Sequence, residues 1–140
     1  MTRYQKGANA ERELIHILWE QGFAVVRVAG SGKTALPAPD LIALSREKKL
    51  AFESKAWNSE HLSIPRDQMD ELAKWSGIAG AEFYIAWKVP RKGWLFLKKE
   101  MFNFAGKNYT LPRHIAMNKA IDLSVILGKQ TNLKLNAKTK

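Results

Sequence analysis

Two acidic residues and a lysine lie close together in the first half of the chain, among short apolar runs. Asp40 follows Pro39, twelve residues separate it from Glu53, and Lys55 stands two positions after Glu53. The segments 40–45 and 49–57 are short and apolar, as strands are, and the polar residues 46–49 between them suit a turn. The pattern predicts a hairpin that brings the three charged groups together.

The register of this hairpin predicts which side chains share a face. With the turn centred on residues 47–48, Asp40 lies opposite Lys55, and Glu53 lies opposite Ile42, diagonal to Asp40. Residues that are directly opposite, or two apart on one strand, project from the same side of a sheet. We therefore expect Asp40, Glu53 and Lys55 to lie within reach of one another.

This set of side chains suits the hydrolysis of a phosphodiester. Two nearby carboxylates repel unless a positive charge lies between them, and Mg²⁺ commonly binds one or two carboxylates together with phosphate oxygens and water. Such an ion activates water, and a lysine stabilises negative charge that develops on the phosphate. The alternative is structural: Asp40 caps the strand entrance, and Glu53 and Lys55 form a solvated ion pair. Spacing alone leaves both interpretations open.

Composition limits the class of protein. The chain has 140 residues, of which 46% are hydrophobic, and this predicts one folded domain over residues 1–130 with a basic tail over 131–140. No apolar run is long enough to cross a membrane, and the first residues lack the apolar core of a secretory signal. Cysteine is absent, which excludes disulfides and thiolate metal sites. We expect an intracellular protein.

The net charge indicates a polyanionic partner. Lys and Arg total 23 against 13 Asp and Glu, a formal charge of +10, which favours nucleic acid. A basic protein without such a partner, or a ribosome-associated one, is the alternative. Candidate phosphate contacts near the predicted cluster are Arg3, Lys6, Arg27, Lys33 and Arg66.

The periodicity predicts a small α/β domain with a mixed sheet. Its order is helix, three strands, helix, two strands, and then a last short helix. The predicted segments are a helix over 10–22, strands over 23–29, 40–45 and 49–57, a connection over 58–68, a helix ending at Gly77, strands over 82–89 and 93–98, and a helix over 123–127.

The segment Ala29–Thr34, AGSGKT, is similar to the end of a phosphate-binding P-loop. That motif needs a glycine where this chain has Arg27, and a helix directly afterwards, which Pro37 and Pro39 prevent. Both requirements fail. We interpret the segment as a basic loop that is able to meet phosphates.

Four blocks of the first half together carry a resemblance to a known family. They are KGANAERELIHIL, GFAVVRVAGSG, PDLIAL and FESK, and their order and the Pro-Asp…Glu-x-Lys pattern resemble the archaeal Holliday junction resolvases, which are restriction-endonuclease-like nucleases. The resemblance implies an α/β fold with a central mixed sheet flanked by helices. It further implies a Mg²⁺-dependent homodimer, with Mn²⁺ as a substitute, that cuts four-way DNA junctions on two opposed strands, with clamp or branch-migration proteins as possible partners.

The resemblance also implies roles for individual residues. Asp40, Glu53 and the helix-borne Glu11 match metal ligands, and the backbone carbonyl of Ser54 completes that set. Lys55 matches the catalytic lysine, and Ser31 matches a serine of a mobile loop that reaches the DNA strand. Arg12 matches a residue that contacts DNA or supports activity, and Gln68 matches a glutamine on the helix after the strand. Ser54 departs from the family pattern, in which a β-branched or apolar residue usually stands between the acid and the lysine.

Other interpretations remain open at this point. The chain could be another nuclease of this fold that acts on duplex or flap DNA, or a DNA-binding module without catalysis. Glu11, Arg12 and Gln68 could be ordinary helix-surface residues. The tryptophans that lie in apolar patterns suit a core or a dimer interface, whereas Trp57, beside the predicted site, is placed to contact a base; the former are Trp19, Trp75, Trp87 and Trp94.

Overall fold

A mixed five-stranded sheet with helices on both faces forms the centre of the fold, as the sequence predicted. The structure is a computed structural model that describes residues 2–28 and 36–129. Its elements are α1 (Arg3–Glu20), β1 (Ala24–Arg27), β2 (Leu41–Leu44), β3 (Lys49–Lys55), β4 (His61–Pro65), α2 (Arg66–Ala79), β5 (Glu82–Val89), β6 (Gly93–Leu97), β7 (Asn103–Ala105), β8 (Asn108–Pro112), α3 (Arg113–Lys119) and α4 (Leu123–Ile126).

The strand order places β3 at the centre of the main sheet. The order is β1-β2-β3-β5-β6, in which β3 and β5 are parallel and the other neighbours antiparallel. Because parallel neighbours need a crossover, the chain passes from β3 through β4 and α2 before it returns as β5. The crossover carries α2 back across β3.

Two separate cores cover the two faces of this sheet. On one face, α1 and α4 pack on residues that include Leu50 and Phe52 of β3. On the other face, α2, α3 and the smaller sheet pack on residues that include Ile85 and Trp87 of β5. Since side chains alternate along a strand, Glu53 and Lys55 project from the second face, where they pair with Ile85 and Trp87.

A second sheet, of three strands, was not predicted. Its order is β4-β8-β7, and β4 occupies part of the segment predicted as a connection. Only Leu62 and Ile64 alternate as buried residues in β4, and β7 is exposed throughout, so the periodic signal is very short. The sequence also gave no indication of α3, whereas the last predicted helix is confirmed as α4.

Helix boundaries differ from the prediction for local reasons. The helix predicted from Ala10 begins at Arg3, because Thr2 and Gln5 form a reciprocal capping box that satisfies backbone N–H groups. The helix predicted to end at Gly77 continues to Ala79, and it ends where Gly80 adopts a left-handed conformation with φ of 71°.

The β2–β3 hairpin is shifted by two residues from the predicted register. Leu41 pairs with Phe52, and the Ser45 N–H donates to the Lys48 carbonyl at 2.9 Å, so the turn is centred on residues 46–47. Continuing this register puts Asp40 opposite Glu53 instead of Lys55. A shift of two preserves the alternation of faces, and therefore the prediction that the acids share a side is unaffected.

Helix α2 is fastened to β3 at both ends. In its first turn, the Gln68 amide donates to the Glu53 carboxylate at 2.8 Å. At its end, the Lys49 ammonium, from the start of β3, donates to the carbonyl of Ala79 at 2.7 Å. Among the described residues, no helix is both long and apolar enough to cross a membrane.

Candidate active site

The two predicted acids meet where β2 begins and β3 ends. One Asp40 oxygen accepts a hydrogen bond of 2.8 Å from the Ser54 backbone N–H, which fixes its carboxylate against β3. Glu53 is only 6% exposed, although the side chain of a glutamate is charged at neutral pH in most proteins. A buried carboxylate of this kind needs compensating partners.

Those partners satisfy only one oxygen of Glu53. Its Oε2 accepts the hydrogen bond from Gln68 and lies 3.7 Å from the Lys55 Nζ. Its Oε1 is buried and has no hydrogen-bond partner. Most buried polar atoms in proteins are paired, so an orphaned carboxylate oxygen beside a second carboxylate marks a place that suits a ligand.

Electrostatics indicate the charge of that ligand. Burial, followed by the nearby charge of Asp40, raises the pKa of Glu53 to about 8 against the opposing effect of Lys55. Burial also raises the pKa of Asp40, which the Ser54 N–H opposes and the charge of Glu11 reinforces. Both acids therefore hold their protons more tightly than usual, and a cation between them would favour the ionised pair.

These residues fit a hard divalent cation. The donors are carboxylate oxygens, one of them without a partner, and this is the ligand chemistry of Mg²⁺. Within residues 2–28 and 36–129, no three acidic or histidine side chains come together as a metal-binding group. Asp40 and Glu53 offer two carboxylates, which is a number Mg²⁺ commonly uses with waters and phosphate.

Glu11 lies beside this pair but is held by a cation. Its Oε1 accepts from the Arg27 Nε at 3.0 Å, across α1 and the end of β1. Its charge still reaches Asp40. Glu11 was predicted as a metal ligand and Arg27 as a phosphate contact, whereas in the structure the two side chains form an ion pair. Arg12 is exposed and donates to Asn9 within α1 at 2.8 Å.

The remaining predicted residues fall into three groups. Arg3 and Lys6 line a cleft together with Trp57, whose ring centre lies 5.8 Å from the Lys55 ammonium. Arg66 is exposed at the start of α2, 3.6 Å from Asp67. Ser31, Lys33 and the basic loop over 30–34 lie outside the described residues, as does the tail over 131–140.

The cleft itself was not predicted from the sequence. It measures about 510 Å³ and is bounded by the first turns of α1 and the segment after β3, with the lining residues Thr2, Arg3, Lys6, Ala56, Trp57, Asn58 and Ser59. The Thr2–Gln5 capping pattern was a signal that α1 begins at Arg3 and therefore carries Arg3 and Lys6, but it gave no indication that this end of the helix faces the segment after β3. A core position is confirmed for Trp87, whereas Trp19 is 64% exposed, so that of its two predicted places only the dimer interface remains.

Comparison with known proteins agrees with this geometry. The family model of the archaeal Holliday junction resolvase (Hjc) matches residues 2–135. The crossover junction endodeoxyribonuclease Hjc of Archaeoglobus fulgidus is 35% identical over 89% of this chain and 90% of its own. The enzyme of the same name from Methanocaldococcus jannaschii is 34% identical over 96% of each chain.

Two solved structures are similar to this chain. The structure of Archaeoglobus fulgidus Hjc, a Holliday junction resolvase, has a TM-score of 0.80 at 32% identity and covers 89% of this chain and 97% of its own. The bacterial homing endonuclease I-Ssp6803I shares the fold alone, with a TM-score of 0.53 at 16% identity over 96% of this chain and 99% of its own. On the match of the family model and the identity to these relatives, the chain belongs to the archaeal Holliday junction resolvase family.

Proposed function

We propose that this chain is an endonuclease that resolves four-way DNA junctions by Mg²⁺-dependent hydrolysis of phosphodiesters on opposed strands. The observation that carries the proposal is the buried, unpartnered Oε1 of Glu53, which lies beside a second carboxylate and a lysine. The relatives are crossover junction endodeoxyribonucleases, and their name indicates the substrate class.

Asp40 and Glu53 would hold the cation through their carboxylates, with the Ser54 carbonyl and Glu11 as further candidate ligands. When bound, Mg²⁺ supplies positive charge that offsets the two acids and the phosphate under attack. The Ser54 N–H and the Gln68 amide hold the two carboxylates in position. This pre-orientation removes motion that the site would otherwise have to lose when the substrate binds.

Lys55 has the position of a group that stabilises the reacting phosphate. Its ammonium is 3.7 Å from Glu53 and partly buried, with 17% of its side chain exposed. In such surroundings a positive charge interacts more strongly than in water. It would lie against the phosphate oxygens as negative charge builds up there, and it would help to orient the attacking water.

A homodimer is the assembly that fits this reaction. A four-way junction is nearly two-fold symmetric, and a symmetric dimer presents two identical sites related in the same way. One cut by each subunit then gives paired cuts on opposed strands. Because junctions have arbitrary sequence, selectivity would come from shape and backbone contacts, for which the charge of +10 is suited. Sedimentation at the enzyme concentrations used for cleavage should give twice the monomer mass.

The test compares an immobile four-way junction with a linear duplex of one arm's sequence, in Mg²⁺. Paired symmetric nicks in the junction alone are the expected result. Equal cutting of both substrates would instead indicate a broader repair nuclease of this fold. Tight binding without cutting in Mg²⁺ or Mn²⁺ would contradict catalysis and leave a DNA-binding module.

A further inference from the structure

Trp57 is an exposed aromatic residue directly beside the candidate site, and neither core contains it. Its residue surface is 37% exposed. The Lys55 ammonium lies 5.8 Å from the centre of its ring. An exposed tryptophan next to a catalytic lysine is free on one face to contact a substrate.

The backbone that carries this ring is fixed from below. The carbonyl of Trp57 accepts a hydrogen bond of 2.9 Å from the indole N–H of Trp87, which is fully buried in β5. A buried indole N–H requires a partner, and here that partner is the segment after β3. The position of Trp57 relative to Lys55 is therefore held by the core and not by solvent-exposed loops alone.

The ring forms part of the cleft described above. The cleft has a volume of about 510 Å³, which lies within the range of sites for small molecules, roughly 300–1,000 Å³, and is large enough for a nucleotide. The described residues that line it include two cations, Arg3 and Lys6, and no acid. An aromatic face with flanking cations is the combination that binds an unpaired base and its phosphate.

We propose that Trp57 stacks on a nucleobase released from pairing at the branch point, while Arg3 and Lys6 hold the adjoining phosphates. This inference rests on the proposed function, and it names the part of the junction that the site recognises. A base inside a duplex must be unstacked and unpaired before it enters such a cleft, whereas a base at a branch point gives up less. The cleft thus favours branched over linear DNA without reading sequence.

The test is a thermodynamic cycle on binding. Immobile junctions with a single abasic site at each branch-point nucleotide in turn are bound, without divalent ions, to the wild type and to Trp57→Ala. Stacking on one base predicts that Trp57→Ala weakens binding about tenfold, and that one abasic position weakens the wild type by a similar factor. That same abasic site should leave the affinity of Trp57→Ala unchanged, because the base has already lost its partner.

Three further variants support this test. Trp57→Leu keeps apolar bulk and should bind like Trp57→Ala, so a folding defect of one variant does not remove the answer. Trp57→Phe keeps an aromatic face and should recover most of the affinity. Phe104→Ala removes an exposed aromatic side chain on β7, away from the cleft lining, and should bind junctions like the wild type.

Two results would overturn the inference. One is an equal response of the wild type and Trp57→Ala to every abasic position. The other is a fall in kcat at saturating junction with unchanged Kd, which would assign Trp57 to holding Lys55. Failure of the proposed function is distinct, since the wild type itself would then show no preference for junctions.

Discussion

The two faces of the central sheet each carry a contacting acid, lysine and tryptophan, and the clusters differ in how fully the acid is paired. On the α1 face, the Glu13 Oε1 accepts from the Lys88 ammonium at 2.6 Å and from the Trp94 indole at 2.8 Å. Lys88 also lies 5.5 Å from the Trp94 ring. These contacts lower the pKa of Glu13, with the Lys88 hydrogen bond as the largest cause.

The cluster on the other face has the same residue types and the opposite outcome. Glu53 is buried, its nearest ammonium is 3.7 Å away, one oxygen has no partner, and burial raises its pKa to about 8. The difference shows that composition does not define a functional site. The α1-face cluster pairs its acid and supports the fold, whereas the β3 cluster leaves one buried carboxylate oxygen unpaired, where the proposed cation would bind.

The largest expected effect is on the rate of junction cleavage, which should distinguish the acids of the β3 cluster from Glu13. Glu53→Gln or Asp40→Asn should reduce junction cleavage in Mg²⁺ by about a thousandfold or more, because several kcal/mol of charge stabilisation would depend on the cation that we propose they hold. Both variants should still bind junctions. Glu13→Gln makes the same chemical change on the other face and should cut normally. Loss of cleavage in Glu13→Gln, or its retention in Glu53→Gln, would contradict the distinction.

The two lysines should differ almost as strongly. Lys55→Met should lower kcat by roughly a hundredfold to a thousandfold, the range for loss of one group that stabilises charge in a transition state. Lys88→Met should leave kcat unchanged and cost no more than about 1 kcal/mol, as is typical of partly exposed pairs. Single-turnover cleavage and urea denaturation measure the two quantities. Equal kcat values for the two variants would remove the assigned role of Lys55.

Gln68 should act through Glu53 and therefore have a smaller effect. Gln68→Ala frees the Glu53 carboxylate, and the Mg²⁺ concentration for half-maximal cleavage should rise about 10-fold to 100-fold, as for other groups that orient metal ligands. Saturating Mg²⁺ should restore most of the rate. Glu71→Ala, on an exposed position of the same helix, is the control. A Mg²⁺ requirement unchanged in Gln68→Ala would contradict a positioning role.

The smallest effect concerns stability in the absence of metal. Because the folded pKa of Glu53 lies above its usual value of 4.5, the folded state binds the extra proton, and stability falls as pH rises from about 4.5 towards 8. Glu13 has the opposite sign: its lowered pKa adds stability above its usual value, and that stability is lost as pH falls.

In chelator at pH 8, Glu53→Gln should therefore raise Tm, by roughly 3 °C for each kcal/mol recovered in a chain of this size. The gain should shrink as pH is lowered towards 5. Thermal melts of the wild type and the variant across that interval test this. A wild-type Tm that does not change with pH, or a variant less stable than the wild type at pH 8, would refute the strain assigned to Glu53.

The sequence was most informative where a pattern is short-range and tolerant of error. Asp40, Glu53 and Lys55 were predicted to share a face, and they do, because alternation along a strand survives a register shift of two. Contacts between distant segments could not be predicted from the sequence. The pairing of Glu11 with Arg27, and the cleft between the start of α1 and Trp57, depend on how whole elements pack.

Because α2 is attached to both ends of β3, we expect the helix and the strand to unfold together. Gln68 and Ala79 are eleven residues apart, or about 16 Å along a helix, and their partners Glu53 and Lys49 span about 13 Å of strand. A slide of one helical turn would break both bonds together. Amide protons of α2 and β3 should thus exchange with solvent as one cooperative unit, so that the acids stay assembled until that unit unfolds.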